Sequence, residues 1–329
     1  MKNNLIFNKD GHGADEIHRL IGMIDSDLNF EKWEPWLKAA VRQITSIAGK
    51  EVFDAAATFY YGGEIDGIEG KNDILTAFLE KVQTSNILFA WLKIIPTLDA
   101  QHGNSGRQKR LGENERGLTA VEQFKDESNI QNLAYDSLDD LLDFLMNNAG
   151  NLPFWTQSDV YREMNMLIIP NLATFDRFYA ISSFRLFVAI MPWIKEVQDN
   201  DLIPVLTRDR LNVFLEALKK KEDELTDYEI KLLALKDKIY RPVVLLSMIK
   251  AFKRLPVQAI PEGLVQVQIV GTVKERIRAT ESAIKTQIAN LSDDAQYAMS
   301  ALQNELATLN GNKDAHVPTA RVVGNGFTF

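Results

Sequence analysis

The residue types that most often carry out chemistry are sparse in this sequence. Its four histidines are scattered along the chain, at His12, His18, His102 and His316. His12 and His18 are six residues apart, which would place them on different faces of a helix, so no pair has the spacing of a helical metal site. Cysteine is absent, which excludes disulfides, thiolate metal sites and cysteine nucleophiles.

Motifs that hold phosphate or activate a nucleophile are also missing. The sequence contains no GxxxxGK[ST] loop, no GxGxxG between a strand and a helix, and no GxSxG elbow; "VVGNGF" near the C-terminus is the nearest glycine-rich stretch. We therefore predict that the protein is not an enzyme and assign no catalytic, cofactor-binding or metal-binding residues.

Two groups of carboxylates leave an alternative open. Glu64, Asp66 and Glu69 supply hard oxygen ligands in "GGEIDGIEG", although they lack the order of a calcium loop, and a solvated acidic turn is the simpler interpretation. The second group follows Ser137, which we interpret as the N-cap of a helix extending to Asn147. Negative charge near a helix N-terminus is stabilised by the macrodipole, which explains the aspartates of this group without catalysis: Asp139, Asp140 and Asp143.

Two short β-like excursions interrupt a helical pattern and are the candidate contact sites. The first is basic, and Arg107, Lys109 and Arg110 could contact phosphate or an acidic partner, or form a plain exposed hairpin. The second, "LVQVQIV", alternates apolar residues with glutamines. A two-stranded hairpin is marginally stable alone, so its apolar residues predict an assembly surface: Leu264, Val265, Val267 and Ile269.

Composition is that of an ordinary protein with sizeable cores. The 329 residues are 46% apolar and 25% charged, which suffices for two domains. The formal net charge of −8 argues against broad affinity for nucleic acid. No apolar run approaches the roughly 18 residues of a membrane span, and "MKNNLIFNKDGHG" lacks the features of a signal peptide, which predicts a protein assembled in a cytoplasm without membrane contact.

Helical periodicity dominates the chain, so we predict a mainly α fold. Apolar residues recur at threes and fours from Lys32 to Thr58, with Gly49 dividing two helices. A further helix is predicted from Asp73 to Ile95, where Pro96 stops it, and a long last helix from Val273 to Leu309. The run "KKKEDE" at 219–224 is typical of a solvated helix face.

An internal duplication is indicated by residues that recur in order. "FEKWEPWLK" resembles "FVAIMPWIK" at an offset of 157, Val52 and Phe53 match Val213 and Phe214 at 161, and Lys93 and later residues match Lys253 and its successors at 160. We predict two tandem helical-bundle modules, each with a short β-hairpin-like excursion. The predicted divisions are an N-terminal extension 1–14, module 1 at 15–152, module 2 at 153–310 and an extended C-terminal arm 311–329.

The arm "GNKDAHVPTARVVGNGFTF" keeps apolar residues that a solvated tail rarely keeps: Val322, Val323, Phe327 and Phe329. An arm that lies on a neighbouring subunit would retain them. Folding back onto its own module is the alternative.

Several stretches together resemble an uncharacterised protein family encoded by phages and prophages of Bacteroidetes hosts: "FEKWEPWLKAAVRQITSIAGKEVFDAA", "AWLKIIP", "LAYDSLDDLLDFLMNN" and "FWTQSD". The resemblance covers most of the chain and carries no catalytic motif. It implies a virion protein similar to head-to-tail connectors, the adaptor rings beneath the portal, which are commonly of twelve copies. Many adaptors are half as long, which two modules in one chain would explain.

The resemblance implies a homo-oligomeric ring in the virion neck that docks to the portal protein and to tail or neck proteins. DNA would only pass through its channel, which an acidic lumen would not grip. From another class of function, the alternative is a cytoplasmic helical scaffold or regulatory protein-binding module.

Overall fold

The computed structural model describes residues 5–22, 28–68, 70–98, 100–103, 106–109, 119–255, 257–260, 263–266 and 280–309, and for residues 100–103, 106–109, 120, 257–260 and 263–266 it describes the backbone alone. The protein is mainly helical, as the periodicity predicts. None of the described helices is both long and apolar enough to cross a membrane.

The chain forms two compact units, Met1–Glu163 and Met164–Phe329. Unit 1 therefore extends past residue 152, the predicted end of module 1. The reason is that the residues after Pro153 pack within unit 1. Trp155 is fully buried there, and the Phe154 ring lies 4.9 Å from the Phe78 ring.

Within the segment predicted as an N-terminal extension, Ile6 and Phe7 are buried. The side-chain amide of Gln83 donates to the Ile6 carbonyl oxygen over 2.7 Å and fixes this segment to the core. The helices of the unit are α1 (Gly13–Ile21), α2 (Phe30–Ala48), α3 (Lys50–Tyr60), α4 (Asn72–Leu98), α5 (Ala120–Asn147), α6 (Pro153–Thr156) and α7 (Asp159–Asn165), which ends just past the division, with a 3₁₀ turn at Ala149–Asn151.

The helix pair α2 and α3 confirms the division predicted at Gly49. Trp33, Leu37 and Ile44 form the buried stripe of α2. Gly49 has φ 94° and ψ 156°, a conformation that residues with a Cβ rarely adopt, so the chain bends there instead of continuing the helix.

The central helix α4 packs against both α2 and α5. It extends to Leu98, so Pro96 lies inside its last turn instead of ending it. The Asn86 amide of α4 donates to the Leu37 carbonyl oxygen of α2 over 3.1 Å. This buried bond fixes the register between the two helices, because an unpaired amide in the core would be costly.

The helix α5 is much longer than predicted. It begins at Ala120, where Thr119 and Glu122 form a capping box, and Ser137 lies inside the helix with its hydroxyl donating to the Ala134 carbonyl oxygen. The expectation that Ser137 is an N-cap was wrong, because the capping signal that operates is the T-x-x-E pattern eighteen residues earlier.

Unit 2 is also mainly helical, with shorter helices and more interruptions. Its elements are α8 (Leu172–Asp176), α9 (Phe184–Val197), a π-helical turn (Gln198–Leu202), α10 (Ile203–Leu206), α11 (Arg208–Ala217), a 3₁₀ turn (Glu222–Glu224), α12 (Asp227–Leu233), α13 (Lys236–Arg254) and α14 (Glu281–Leu309). The run "KKKEDE" thus lies in the exposed connection after α11 and not on a helix face. The long last helix begins at Glu281, where the Thr280 hydroxyl accepts from the Ala283 N–H; residues 267–279 lie outside the described part.

The joint between α10 and α11 resembles the joint at Gly49. Thr207 has φ 71° and ψ 151°, close to the Gly49 angles, although threonine has a Cβ. Its hydroxyl accepts from the Arg210 N–H and caps α11. Before this joint, the buried Gln198 of the π turn accepts from the Ile168 N–H and donates to the Met166 carbonyl oxygen.

Each unit also contains a two-stranded antiparallel ladder between its last two long helices. In unit 1, β1 (Ala100–Gly103) pairs with β2 (Gly106–Lys109), and in unit 2, β3 (Val257–Ile260) pairs with β4 (Gly263–Gln266). Both ladders have four paired positions, and each strand of the second lies 157 residues after its counterpart in the first.

Burial recurs at the same spacing. Adding 157 to eight buried positions of α4 gives eight buried positions of α13: Val82, Gln83, Ser85, Asn86, Ile87, Leu88, Ala90 and Ile94 correspond to Ile239, Tyr240, Pro242, Val243, Val244, Leu245, Ser247 and Ala251. For α5 and α14 the spacing is 161: Ile130, Ala134, Leu141 and Leu145 correspond to Leu291, Ala295, Leu302 and Leu306.

The π turn accounts for one change of spacing. The spacing is 157 where Trp33 of α2 corresponds to Ile190 of α9, and 158 where Ala48 corresponds to Leu206. A π turn holds one residue more than the α-helix it interrupts. Burial around Phe53 fits Leu211 and Phe214 equally well, so it does not test the expected spacing of 161. Near Lys93, the buried Ile94 corresponds to the buried Ala251, which gives a spacing of 157 instead of the expected 160.

Candidate assembly surfaces

The predicted contact residues lie mainly where side chains are not described. Arg107 and Lys109 are in β2, and Leu264 and Val265 are in β4, whose backbone alone is described. The others lie outside the described residues: Arg110, Val267, Ile269, Val322, Val323, Phe327 and Phe329. The surfaces considered below are therefore built from the helices beside the ladders.

In both units, the helix after the ladder begins with turns that contain no buried residue among those whose side chains are described. No residue from Val121 to Asn129 of α5 is buried, and Ile130 is the first that is. In α14, residues 281–290 include no buried residue, and Leu291 is the first. Each helix therefore continues for about 15 Å beyond its core at 1.5 Å per residue.

An exposed leucine lies at the base of each ladder. Leu98 at the end of α4 is 41% exposed, and Leu255 directly after α13 is 43% exposed. The two leucines are 157 residues apart, so they occupy corresponding positions. We call each leucine, with the unburied first turns of the following helix, the ladder end of its unit. Neither was singled out in the sequence, since a single leucine gives no signal before its exposure is known.

Charges at the two ladder ends are of both signs. In α5, Glu122 accepts from the Thr119 N–H and hydroxyl, and these bonds hold the pKa of its carboxyl below the usual range. In α14, Glu281 pairs with Lys285 over 2.7 Å, which lowers the pKa of that carboxyl. Mixed charge around an apolar residue is the pattern of a polar rim at a protein contact.

The predicted carboxylate sites are not assembled as metal sites in the described part of the chain. Glu64 and Asp66 are exposed between α3 and α4, Glu69 lies outside the described residues, and the described residues include no cluster of three or more potential ligands. Among the histidines, His12 is exposed and pairs with Asp15 over 3.4 Å, and His18 is exposed on α1. The side chain of His102 in β1 is not described, and His316 lies outside the described residues.

The aspartates after Ser137 lie in the middle of α5, so the macrodipole explanation was wrong. Partial burial, with repulsion from Asp139 and then Asp140, raises the pKa of Asp143. Asp140 lines a shallow notch between α1, α4 and α5, in which Arg19 pairs with Glu80 over 3.3 Å. The notch is open to solvent, and its Arg19 and Glu80 side chains already pair with each other. It therefore has the properties of a solvated helix surface.

The phenol of Tyr60 has a structural role in unit 1. It accepts from the Lys9 N–H over 2.7 Å and donates to the Glu16 carboxylate over 2.8 Å. Burial is the main cause that raises its pKa. The network attaches the N-terminal segment to α1 and α3.

Unit 2 has an open groove with a volume of about 590 Å³. Its lining residues belong to the π turn, α10, α13 and α14. Its floor is apolar and includes Leu246, Ile249 and Met299, and its rim carries Asp201 and Lys253. Beside it, Lys250 and Arg254 both donate to the Glu196 carboxylate, and these bonds lower the pKa of Glu196 to about 2.

Comparison with known proteins gives one match. Residues 44–165 match the model of a family of unknown function, DUF6712. That segment extends from the end of α2 to the end of α7, so it lies almost entirely in unit 1. No curated protein and no solved structure matches the chain.

Proposed function

We propose that this protein is a non-enzymatic structural subunit of a phage neck, which forms a ring as a head-to-tail connector between the portal and the tail. The observation that carries the proposal is the repeated ladder end. The same exposed leucine and the same unburied helix turns occur twice in one chain, at positions 157 and 161 residues apart. A ring subunit contacts neighbours on two sides, and two ladder ends would give one chain two surfaces for such contacts.

We infer that the two units arose by duplication of one helical module with a hairpin. Three properties recur in order: the buried residues of the helices, the left-handed joint and the four-position ladder. The inference explains how one chain could supply two adaptor-like modules.

Charge supports the proposed role for DNA, which is transit without binding. The net charge of −8 would repel a phosphate backbone rather than grip it. The basic residues Arg107, Lys109 and Arg110 are proposed to contact an acidic protein surface at the portal or tail, which would concentrate positive charge away from the channel.

The experiment is mass photometry of the purified chain, alone and mixed with the portal protein of the phage or prophage that encodes it. Twelve copies of the 37.2 kDa chain would form a particle of about 450 kDa. A particle of this size, formed alone or with portal, would support the connector. A chain that remains a monomer or dimer in both samples would instead favour a cytoplasmic scaffold or regulator.

Variants connect the experiment to the ladder ends. Leu98→Asp with Leu255→Asp should abolish the large particle, because a carboxylate in an apolar contact is costly to bury. The matched control is Ile230→Asp, since Ile230 on α12 is 50% exposed and precedes α13, whereas the ladder of its unit follows the end of α13. If the control variant also abolished the large particle, the ladder ends would not be the contact surface.

A further inference from the structure

The groove of unit 2 corresponds to a place in unit 1 that is filled. In unit 1, the rings of Phe89 and Tyr135 pack edge to face with centroids 5.5 Å apart, between α4 and α5. The spacings of 157 and 161 place Leu246 and Gln296 at these two positions in unit 2. Both of these residues line the groove.

A second pair of positions shows the same difference. Leu138 and Leu142 of α5 are fully buried. Their counterparts in α14 are Met299 and Gln303, which are not buried and line the groove. Unit 2 therefore has Leu246 and Gln296 in place of two packed aromatic rings and keeps apolar side chains exposed in the groove, as is typical of sites that receive apolar side chains.

We propose that this groove is the docking site for the aromatic C-terminal segment of the same chain, residues 321–329. The segment carries Val322, Val323, Phe327 and Phe329, which are apolar and aromatic residues of the kind that the groove lacks. The proposal does not depend on ring formation.

The connection is long enough for this docking. The helix α14 forms one wall of the groove and ends at Leu309, ten residues or about 15 Å past Met299. The eleven residues 310–320 can span up to about 36 Å when extended. A segment attached by so short a linker has an effective concentration in the millimolar range, which favours the groove of its own chain over that of another copy.

Cysteine cross-linking tests the docking directly, because the chain has no cysteine of its own. In the full-length protein, Met299→Cys with Phe327→Cys should form a disulfide within one chain under mild oxidation, while the species remains at the 37.2 kDa monomer mass. The control pair is Asp294→Cys with Phe327→Cys, since Asp294 is exposed on α14 and does not line the groove. The expected yield is at least severalfold higher in the test pair. Gln303→Cys replaces Met299→Cys if the latter does not fold.

Three outcomes would overturn the proposal: equal yields in the two pairs, no cross-link in either, or a product of twice the monomer mass. The last outcome would mean that the segment exchanges between copies instead of occupying its own groove.

A groove-filling variant gives an independent test. Leu246→Phe with Gln296→Tyr would restore in unit 2 the aromatic pair of unit 1 and should reduce the cross-link yield severalfold by occupying the site. Thr286→Tyr on the exposed start of α14 is the control and should leave the yield unchanged. An undiminished yield in the filled variant, with the fold retained by circular dichroism, would show that the segment does not use the groove.

Discussion

The two units share many buried positions but differ in the chemistry of their contacts. Lys81 of α4 lies 5.9 Å from the Phe144 ring of α5, whereas the corresponding Lys238 of α13 pairs with the Glu305 carboxylate of α14. The helix joint is Gly49 in unit 1 and Thr207 in unit 2. This difference indicates that the set of buried positions is more tightly constrained than the chemistry of the individual contacts. Substitutions that give one unit the contact residue of the other unit can test this.

The largest effect is expected where α5 packs on α4 and where α14 packs on α13. Leu141 of α5 and Leu302 of α14 correspond and are both fully buried, so Leu141→Ala and Leu302→Ala should each lower the free energy of unfolding by about 2–5 kcal/mol. Hydrogen exchange of peptides from the affected unit measures this loss. The exposed counterparts Asn132→Ala and Asp293→Ala should change it by less than about 0.5 kcal/mol. If only one of the two leucine variants lowered the free energy of unfolding this much, the two helix pairs would not correspond.

The joints should respond in opposite directions. Thr207→Gly should raise the free energy of unfolding by up to about 1 kcal/mol, because it relieves about 1–3 kcal/mol of strain at φ 71°. The loss of the hydroxyl cap on α11 and the flexibility of glycine in the unfolded chain partly offset this gain. Gly49→Thr should lower it by about 1–3 kcal/mol, since a Cβ there would also lie 3.0 Å from the Glu51 carboxylate. Urea denaturation checks both, and the same sign for the two variants would contradict the equivalence of the joints.

Exchange of the lysine contact should have a smaller effect. Glu305→Phe replaces an exposed ion pair of about 0.2–1 kcal/mol with a cation–π contact of similar strength, so a net change below about 0.5 kcal/mol is expected. Glu305→Ala, which leaves Lys238 with neither contact, should cost up to about 1 kcal/mol. Thermal unfolding of both variants measures the difference, and a Phe variant less stable than the Ala variant would refute the interchange.

The smallest effect is expected for the acid dependence of unit 2. Hydrogen bonds from Arg254 and Lys250 lower the pKa of Glu196 from its usual 4.5 to about 2, and the corresponding position in unit 1 is Ala39. Because the folded pKa is depressed, this stabilisation is present above pH 4.5 and is lost as pH falls towards 2. Glu196→Gln should therefore lower the Tm at pH 7 but not at pH 2. An equal decrease at both values would show that packing, not charge, is responsible.

Apolar periodicity was enough to predict the helical class, the stripe of α2 and the break at Gly49, because each follows from local spacing and from one residue's backbone freedom. The start of α5 was also encoded locally, in Thr119 and Glu122, but stronger apolar periodicity after Ser137 obscured it. Thr207 could not be predicted as a joint, since threonine disfavours the conformation it adopts there. Tertiary packing imposes that conformation.

The candidate surfaces were less predictable than the fold. The exposure of Leu98 and Leu255 depends on where neighbouring helices end, which spacing along one helix does not reveal. The groove depends on residues from three separate segments, α10, α13 and α14. At the corresponding place in unit 1, Phe89 and Tyr135 pack together, and both look like ordinary core residues in the sequence.

The π turn Gln198–Leu202 has a consequence for how this chain tolerates mutation. Removing one residue from an α-helix normally rotates everything beyond it by about 100° and turns its buried face outwards. Here the turn already holds one residue more than the corresponding stretch of α2. A deletion at Asn200 would produce an uninterrupted helix with the residue count of unit 1. We therefore expect that the in-frame deletion of one codon, which would disrupt most helices, is tolerated at this position.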